Sequence, residues 1–389
     1  MVEILNGGVL KIPERIDSSN AAEFEKELFA AAGDNRENIT IDASGTDYVS
    51  SAGLRVFLKL KKNVSGEVKV INVSPEVYDI FEVTGFTSLI NVSKRLREIS
   101  VDGCEIIGQG GNGTVYRIDD DKIVKVYRPA IGLEQIDKER EFAKTALING
   151  VPCVIAYDAV KCGDSYGIVF EMLRSDTLGH AMKNEPEKLD EYVDKYVALA
   201  KELHSTKIKP GTFTNIKTVL HDRVTKLGKW CSAEEMQLLD SLIDEMPDGE
   251  SLIHGDFHPG NIMIQDGELV LIDMPEVTMG AKIWDLAGIY RDMISAPQTT
   301  PEAVETSIGM PKDLIMDVGY RFFRKYTGLS DDALEAYFKQ LGLVYALNVV
   351  LIVGAGSKRS VEKADAIMDM LLRKVVIPNE QALRHILRS

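Results

Sequence analysis

The sequence predicts a small α/β domain followed by a larger α+β domain, and three observations predict it. Strand-like and helix-like runs alternate through the first hundred residues, as in a small layered α/β unit. A glycine-rich segment at 108–115 is followed by strand-like runs instead of a helix. Beyond it, Asp256, Asn261 and Asp273 flank a hairpin-like turn at Gln265-Asp266-Gly267.

The 389 residues are 45% hydrophobic and 27% charged, without low-complexity tracts, which describes a chain folded throughout in two or three units. The start, MVEILNGGVLKIPERID, has no basic segment leading into an apolar core, so neither a secretory signal nor an anchor is expected there. The longest apolar run, Leu341 to Gly356, is short for a membrane span and contains Asn348; a buried helix is expected. Cys104, Cys153, Cys162 and Cys231 show no C-x-x-C spacing and are expected to be reduced, structural thiols of a cytoplasmic protein. The net charge of −15 divides into −3 over residues 1–100 (12 Lys+Arg against 15 Asp+Glu) and −12 over the remainder. An acidic second domain repels nucleic acid and anionic lipid, so neither is expected as a partner, and a cationic or neutral co-substrate is favoured.

In the first hundred residues, Val9 to Ile12, Ile39 to Ile41 and Val68 to Val73 read as strands. Phe24, Leu28 and Ala31 recur at helical spacing, and Pro75 stands at a first helical position ahead of Val77, Ile80 and Phe81. In IDASGTDYVSSAGLRVFLKL a strand ends, a Ser-rich turn follows, and Leu54, Phe57 and Leu58 mark the apolar face of a new helix. Ser50 or Ser51 therefore falls at its N-terminus, where Ser is a favoured cap. Together, ERIDSSNAAEFEKEL and DYVSSAGLRVFL resemble the STAS domain of anti-sigma-factor antagonists over residues 1–98. That resemblance implies a partner-binding domain for an anti-sigma factor or another signalling protein, and it places Ser51 on the serine that a partner kinase phosphorylates. Phosphate there would meet free N–H groups and the positive end of the helix dipole. The family often has Asp before that serine; here it is Ser50.

After a connector at 99–103, Gly108, Gly110, Gly113 and Val115 form a G-x-G-x-x-G-x-V pattern. A dinucleotide-binding fold would place a helix next. Strand-like Thr114 to Ile118, an acidic turn at Asp119 to Asp121 and a second strand, Ile123 to Tyr127, follow instead, so the glycines sit in a β-hairpin where backbone can approach nucleotide phosphates. Lys125 lies inside that second strand and needs a carboxylate partner if buried. The run EQIDKEREFAKTALINGVP offers Glu139 and Glu141.

The densest signal is LIHGDFHPGNIMIQDGELVLID, residues 252–273, which holds H-G-D-x-H-x-x-N with Asp256 ahead of Asn261, then Asp273 after the hairpin. Phosphoryl transfer needs a carboxylate that orients and deprotonates the acceptor, and oxygen ligands for Mg²⁺. With the glycine loop, Lys125 and the downstream Gly280…Trp284-Asp285-Leu286-Ala287, this stretch resembles the aminoglycoside phosphotransferase-like kinases over about 103–295. The resemblance implies a two-lobed kinase-like fold, a mainly β lobe over 103–173 and an α-rich lobe over 174–389, with ATP between them. It implies Lys125 on the phosphates with Glu139 as its partner and Glu141 in reserve, Glu171 and Leu173 holding adenine through their main chain, Asp256 as catalytic carboxylate, Asn261 and Asp273 on Mg²⁺, and Asp285 bracing the catalytic loop. His258 either assists near the acceptor or packs; His254 is expected to orient backbone, and His204 to be structural. No third ligand stands at zinc spacing near these histidines. The family often continues its metal Asp with an aromatic residue, whereas this chain has Asp273-Met-Pro-Glu276, with Glu276 a further acidic contact.

The expected function is ATP- and Mg²⁺-dependent transfer of a phosphoryl group to a hydroxyl of a small molecule, with the STAS-like domain as regulator. The alternatives are a protein serine kinase, or an inactive nucleotide-binding scaffold, in an anti-sigma partner-switching pathway. The complete set Lys125, Asp256, Asn261 and Asp273 argues against a scaffold, which has no use for it.

Overall fold

The computed structural model describes residues 1–33, 37–209, 211–249, 251–356 and 361–388. It contains two compact units: Met1–Ser100 with Val160–Gly163, and Val101–Ala159 with Asp164–Ser389.

In the first unit the strands Glu3–Ile4, Leu10–Lys11, Ile39–Asp42, Val68–Val73 and Asn91–Lys94 lie side by side in chain order. The first pair is an antiparallel hairpin and the other pairings are parallel. Parallel neighbours require crossovers; the helices Ala21–Ala32, Ser51–Asn63 and Pro75–Val83 supply them. Each contributes a phenylalanine to one cluster, with ring centroids 5.8 Å apart for Phe24–Phe57 and 5.3 Å for Phe57–Phe81, so the helices share one face of the sheet. Pro75 is the first residue of its helix and Ser74 caps it, accepting from the Val77 N–H.

In the second unit the strands Glu105–Gln109, Gly113–Arg117, Lys122–Tyr127 and Ser165–Glu171 form a continuous antiparallel array, with residues 156–159 beside the last. The helix Leu133–Ile148 covers it. Ile136, Glu139, Ala143 and Ala146 are buried at helical spacing, so Glu139 sits on the inward face of that helix. The remainder is mostly helical around two apolar clusters, the first including Tyr196, Phe257 and Phe322, the second Leu220, Trp284 and Leu347. The apolar run around Asn348 belongs to a longer helix, Asp331–Gly354, because its first ten residues are amphipathic and were not part of the apolar run. That helix has the length and composition of a membrane span, but Leu341, Val344, Leu347, Val350 and Leu351 are buried against other helices.

One short hairpin and one further strand pair present the site. Ile262–Gln265 pairs with Glu268–Leu271 through Asp266 and Gly267, which have φ of 52° and 85°. Two left-handed residues in a two-residue loop are the turn that Asp-Gly favours. Ser251–Ile253 pairs with Thr278–Gly280, so the segments before and after the hairpin are held together.

Candidate active site

Lys125 is placed by its strand. It pairs across the hairpin with Val115, the valine of the glycine loop, and its side chain is only 14% exposed. Its ammonium lies 2.9 Å from Glu139 Oε1 and 2.6 Å from Asp273 Oδ1. Burial alone would depress its pKa, but the two carboxylates outweigh burial and hold it above the ordinary value. Glu141 points elsewhere and pairs with Arg140 at 2.7 Å. The two glutamates stand two residues apart and so on different faces of the helix, which decides which of them meets the lysine.

Of the loop glycines, Gly113 answers to packing: a Cβ there would stand 2.2 Å from the Val126 carbonyl oxygen. A Cβ on Gly110 would meet nothing within 4 Å. Gly108, Gly110 and Gly113 line a cavity of about 530 Å³ shared with Val115, Lys125, Glu139, Glu171, Leu173, Asn261 and Asp273. At its inner edge the Glu171 N–H donates to the Ile155 carbonyl (3.1 Å) and the Met172 N–H to the Asp121 carbonyl (2.8 Å). The Glu171 N–H is therefore already engaged within the lobe.

The catalytic loop is held from beneath by Asp285. Its carboxylate accepts from the backbone N–H groups of His254 (2.9 Å) and Gly255 (2.8 Å), and His204 Nε2 lies 3.2 Å away. His204 in turn meets the Tyr326 hydroxyl at 2.9 Å, so a buried chain runs from helix Lys312–Thr327 to the loop. Gly255 has φ of 86°, and a Cβ there would stand 2.9 Å from that of Glu276; glycine is required for both reasons.

This brace presents Asp256. Asn261 Nδ2 donates to its Oδ2 (2.9 Å) and main-chain carbonyl (3.0 Å), and Arg291 Nη2 donates to its Oδ1 at 2.9 Å. His258 Nε2 approaches Oδ2 at 3.6 Å, while in the neutral ring Nδ1 accepts from the Gly260 N–H at 3.1 Å and the proton belongs on Nε2. Burial would raise the Asp256 pKa, but His258 and Arg291 more than offset it and the carboxyl is held far below its usual range. His258 is the counterpart: burial opposes its charge, yet Asp256 raises its pKa. Among the described residues, its acidic neighbour at this distance is Asp256. His254 is buried and stripped of water, which lowers its pKa and keeps it neutral; its Nδ1 accepts from the Asp256 N–H at 3.3 Å.

Arg291 escaped the sequence reading. It ends the helix Ile283–Tyr290, where the chain passes into a π-turn, Arg291–Ser295, and is bound to Asp292 at 2.6 Å as well as to Asp256. A signal was present: one arginine closes the otherwise apolar run LAGIY, and a cation entering a core needs a partner.

Asn261 and Asp273 meet because the Ile272 N–H donates to the Asn261 carbonyl at 3.0 Å across the end of the hairpin. Asp273 has φ of 62°, a left-handed conformation that a non-glycine residue adopts at a cost. The Asn261 side-chain amide gives its N–H to Asp256 and so leaves its oxygen available, and the second carboxylate oxygen of Asp273 is not the one on Lys125. An oxygen-only pair suits a hard cation such as Mg²⁺, which completes its shell with phosphate and water. Among the described residues, no group of three or more His, Cys, Asp or Glu could hold a metal by itself.

The model of the phosphotransferase enzyme family matches residues 103–309, more than half of the chain and the span that carries Lys125, Glu139, Asp256, Asn261, Asp273, Asp285 and Arg291. The chain belongs to that family. The phosphotransferase carries a STAS domain ahead of its kinase-like part, matched over residues 1–99. Within the STAS domain it is 37% identical over 81 residues to "Putative anti-sigma factor antagonist BtrV" of Bordetella bronchiseptica, an alignment spanning 20% of this chain and 70% of that protein. Among solved structures, the streptomycin–ATP complex of APH(2")-IIa is 16% identical, with a TM-score of 0.45, covering 76% of the phosphotransferase and 97% of that chain. A choline/ethanolamine kinase family protein from Mesorhizobium loti is 15% identical, with a TM-score of 0.43, covering 73% and 92%. The phosphotransferase fold itself rests on the family match and on the geometry described above.

Proposed function

We propose that the protein transfers the γ-phosphoryl group of Mg²⁺-bound ATP to the hydroxyl of a small molecule, with its STAS domain as the partner-binding regulator. The observation that carries this reading is one constellation: Lys125 at the floor of the glycine-loop cavity, bridged to Asp273, with Asn261 beside it and Asp256 presented at the opening of a second cavity. Lys125 would grip nucleotide phosphates, while Glu171 and Leu173 hold the base through carbonyl and N–H. Asn261 and Asp273 would hold Mg²⁺, which supplies charge neutralisation to the phosphates. Asp256 then accepts a hydrogen bond from the incoming hydroxyl and takes its proton as the new O–P bond forms and ADP departs. A carboxylate held so strongly ionised is a weak base, and its main contribution is orientation, as a loose phosphoryl-transfer transition state requires.

Ser51 is the proposed phosphorylation site of the STAS domain. Ser50 is the cap, accepting from the Gly53 N–H at 3.3 Å, and Ser51 is the exposed first helical residue. A phosphate there adds negative charge to an exposed surface at a helix N-terminus. Four free thiols agree with a reducing cytoplasmic setting.

Asp273→Ala tests the nucleotide half of the proposal by calorimetry with and without Mg²⁺. Wild-type affinity for ATP is expected to rise on adding Mg²⁺ and the variant's is not; an unchanged Mg²⁺ response in the variant removes Asp273 from the metal site.

A further inference from the structure

The second cavity, about 500 Å³, opens beside Asp256 and is built almost wholly from the helix-rich lobe. Its charged lining is balanced: Arg223 and Arg291 against Asp256 and Glu276. Arg291 and Asp256 are engaged with each other, and Arg291 also with Asp292. Arg223 and Glu276 stand apart, close enough to feel each other's field but forming no ion pair. Among the described residues neither has another charged partner, so the cavity offers one guanidinium and one carboxylate to whatever enters.

Two further polar groups have no partner among the described residues. Thr278 is 8% exposed and neither its Oγ1 nor Asn348 Oδ1 makes a hydrogen bond to any of them; both residues line this cavity. Asn348 is the polar residue that interrupts the long apolar run of helix Asp331–Gly354. An unsatisfied buried polar atom costs about 1–3 kcal/mol, and an apolar residue would have filled either place without that cost. An unpaired amide oxygen and an unpaired hydroxyl, which can accept as well as donate, lining a cavity next to Asp256 suit a ligand that brings hydrogen-bond donors. Ile216, Ile253 and Trp284 make the remaining walls apolar, which limits the polar part of the ligand to a few groups.

Resting on the phosphotransfer reading above, we propose that this cavity binds the acceptor and that the acceptor is a small zwitterionic alcohol, of which hydroxyl amino acids are the simplest. Its carboxylate pairs with Arg223, its ammonium with Glu276, and its hydroxyl with Asp256; Thr278 and Asn348 receive remaining N–H or O–H donors. The hydroxyl oxygen forms a bond to the γ-phosphorus, the bond from that phosphorus to the β–γ bridging oxygen breaks, ADP leaves with the electron pair, and the hydroxyl proton passes to Asp256. Polycationic amino sugars are disfavoured, since the cavity has no excess of carboxylates to receive them.

The test is phosphoryl transfer from γ-labelled ATP by the full-length protein to a panel of small alcohols: L-serine, L-homoserine and L-threonine as zwitterions, glycerate as an anion, ethanolamine as a cation, glycerol as neutral, and kanamycin as a polycation. A zwitterion is expected to exceed both mono-ions, and both to exceed glycerol, in kcat/KM. Arg223→Met should then erase about ten- to a hundredfold of the advantage given by a carboxylate, and Glu276→Gln that given by an ammonium, the size of one lost charge-assisted hydrogen bond. Transfer to glycerol, ethanolamine or kanamycin at least as efficient as to every zwitterion overturns the inference while leaving phosphotransfer intact. Transfer to none of the panel, with nucleotide bound, overturns the phosphotransfer reading and this inference with it.

Discussion

At the scale of single residues, the site is a set of charges that hold one another in place. Asp256 is gripped on both oxygens, by Asn261 and by Arg291. Arg291→Leu frees one of them, and because a carboxylate misplaced by about 1 Å costs on the order of a hundredfold, kcat is expected to fall by about that factor with ATP affinity retained. Steady-state kinetics beside a nucleotide titration checks this, and unchanged kcat removes Arg291 from the positioning of Asp256. The pairing of His258 with Asp256 gives a pH signature. His258 has a folded pKa above its usual 6.5, so its stabilising contribution is complete below that pH and lost as pH rises through the folded value. Asp256 has a folded pKa below its usual 3.8, so its share is present above that pH and lost only in stronger acid. His258→Gln should therefore destabilise the protein more at pH 6 than at pH 9 in denaturant titrations; an equal loss at both would mean the imidazole is uncharged throughout. Asp256, Asn261 and Asp273 were legible as residues because their spacing is local. Arg291 was not, because its contact with Asp256 spans thirty-five positions and a π-turn that no residue pattern announces.

At the scale of elements, the helix Ser51–Asn63 shows why a small residue follows the serines. A Cβ on Gly53 would come within 2.7 Å of Ile16 Cγ2 and 3.0 Å of Val49 Cγ1. Gly53→Ala is expected to cost about 1–3 kcal/mol through overpacking, although alanine is the better helix former. Chemical denaturation reads it, and a stabilised variant would mean that the helix moves away at no cost. Periodicity made this helix and its neighbours readable, and Asp-Gly made the hairpin readable. The extent of helix Asp331–Gly354 was not, since its amphipathic first turns and its apolar remainder look like different segments until both are packed.

At the scale of the whole molecule, a STAS domain and a phosphotransferase domain share one chain, each with its own apolar core. The overall charge of −15 favoured a cationic or neutral co-substrate; the cavity beside Asp256 is itself locally balanced, because net charge is set mostly by solvated faces and specificity by a few side chains. The central claim is that this balanced site moves a phosphoryl group. The measurement that tests it most directly is transfer of label from γ-labelled ATP to a small alcohol by the wild-type protein and by Asp256→Ala, with ATP binding followed in parallel. The account predicts transfer in the wild type, a loss of about a hundredfold or more in the variant, and nucleotide affinity kept in both. Equal transfer by the two proteins would contradict it.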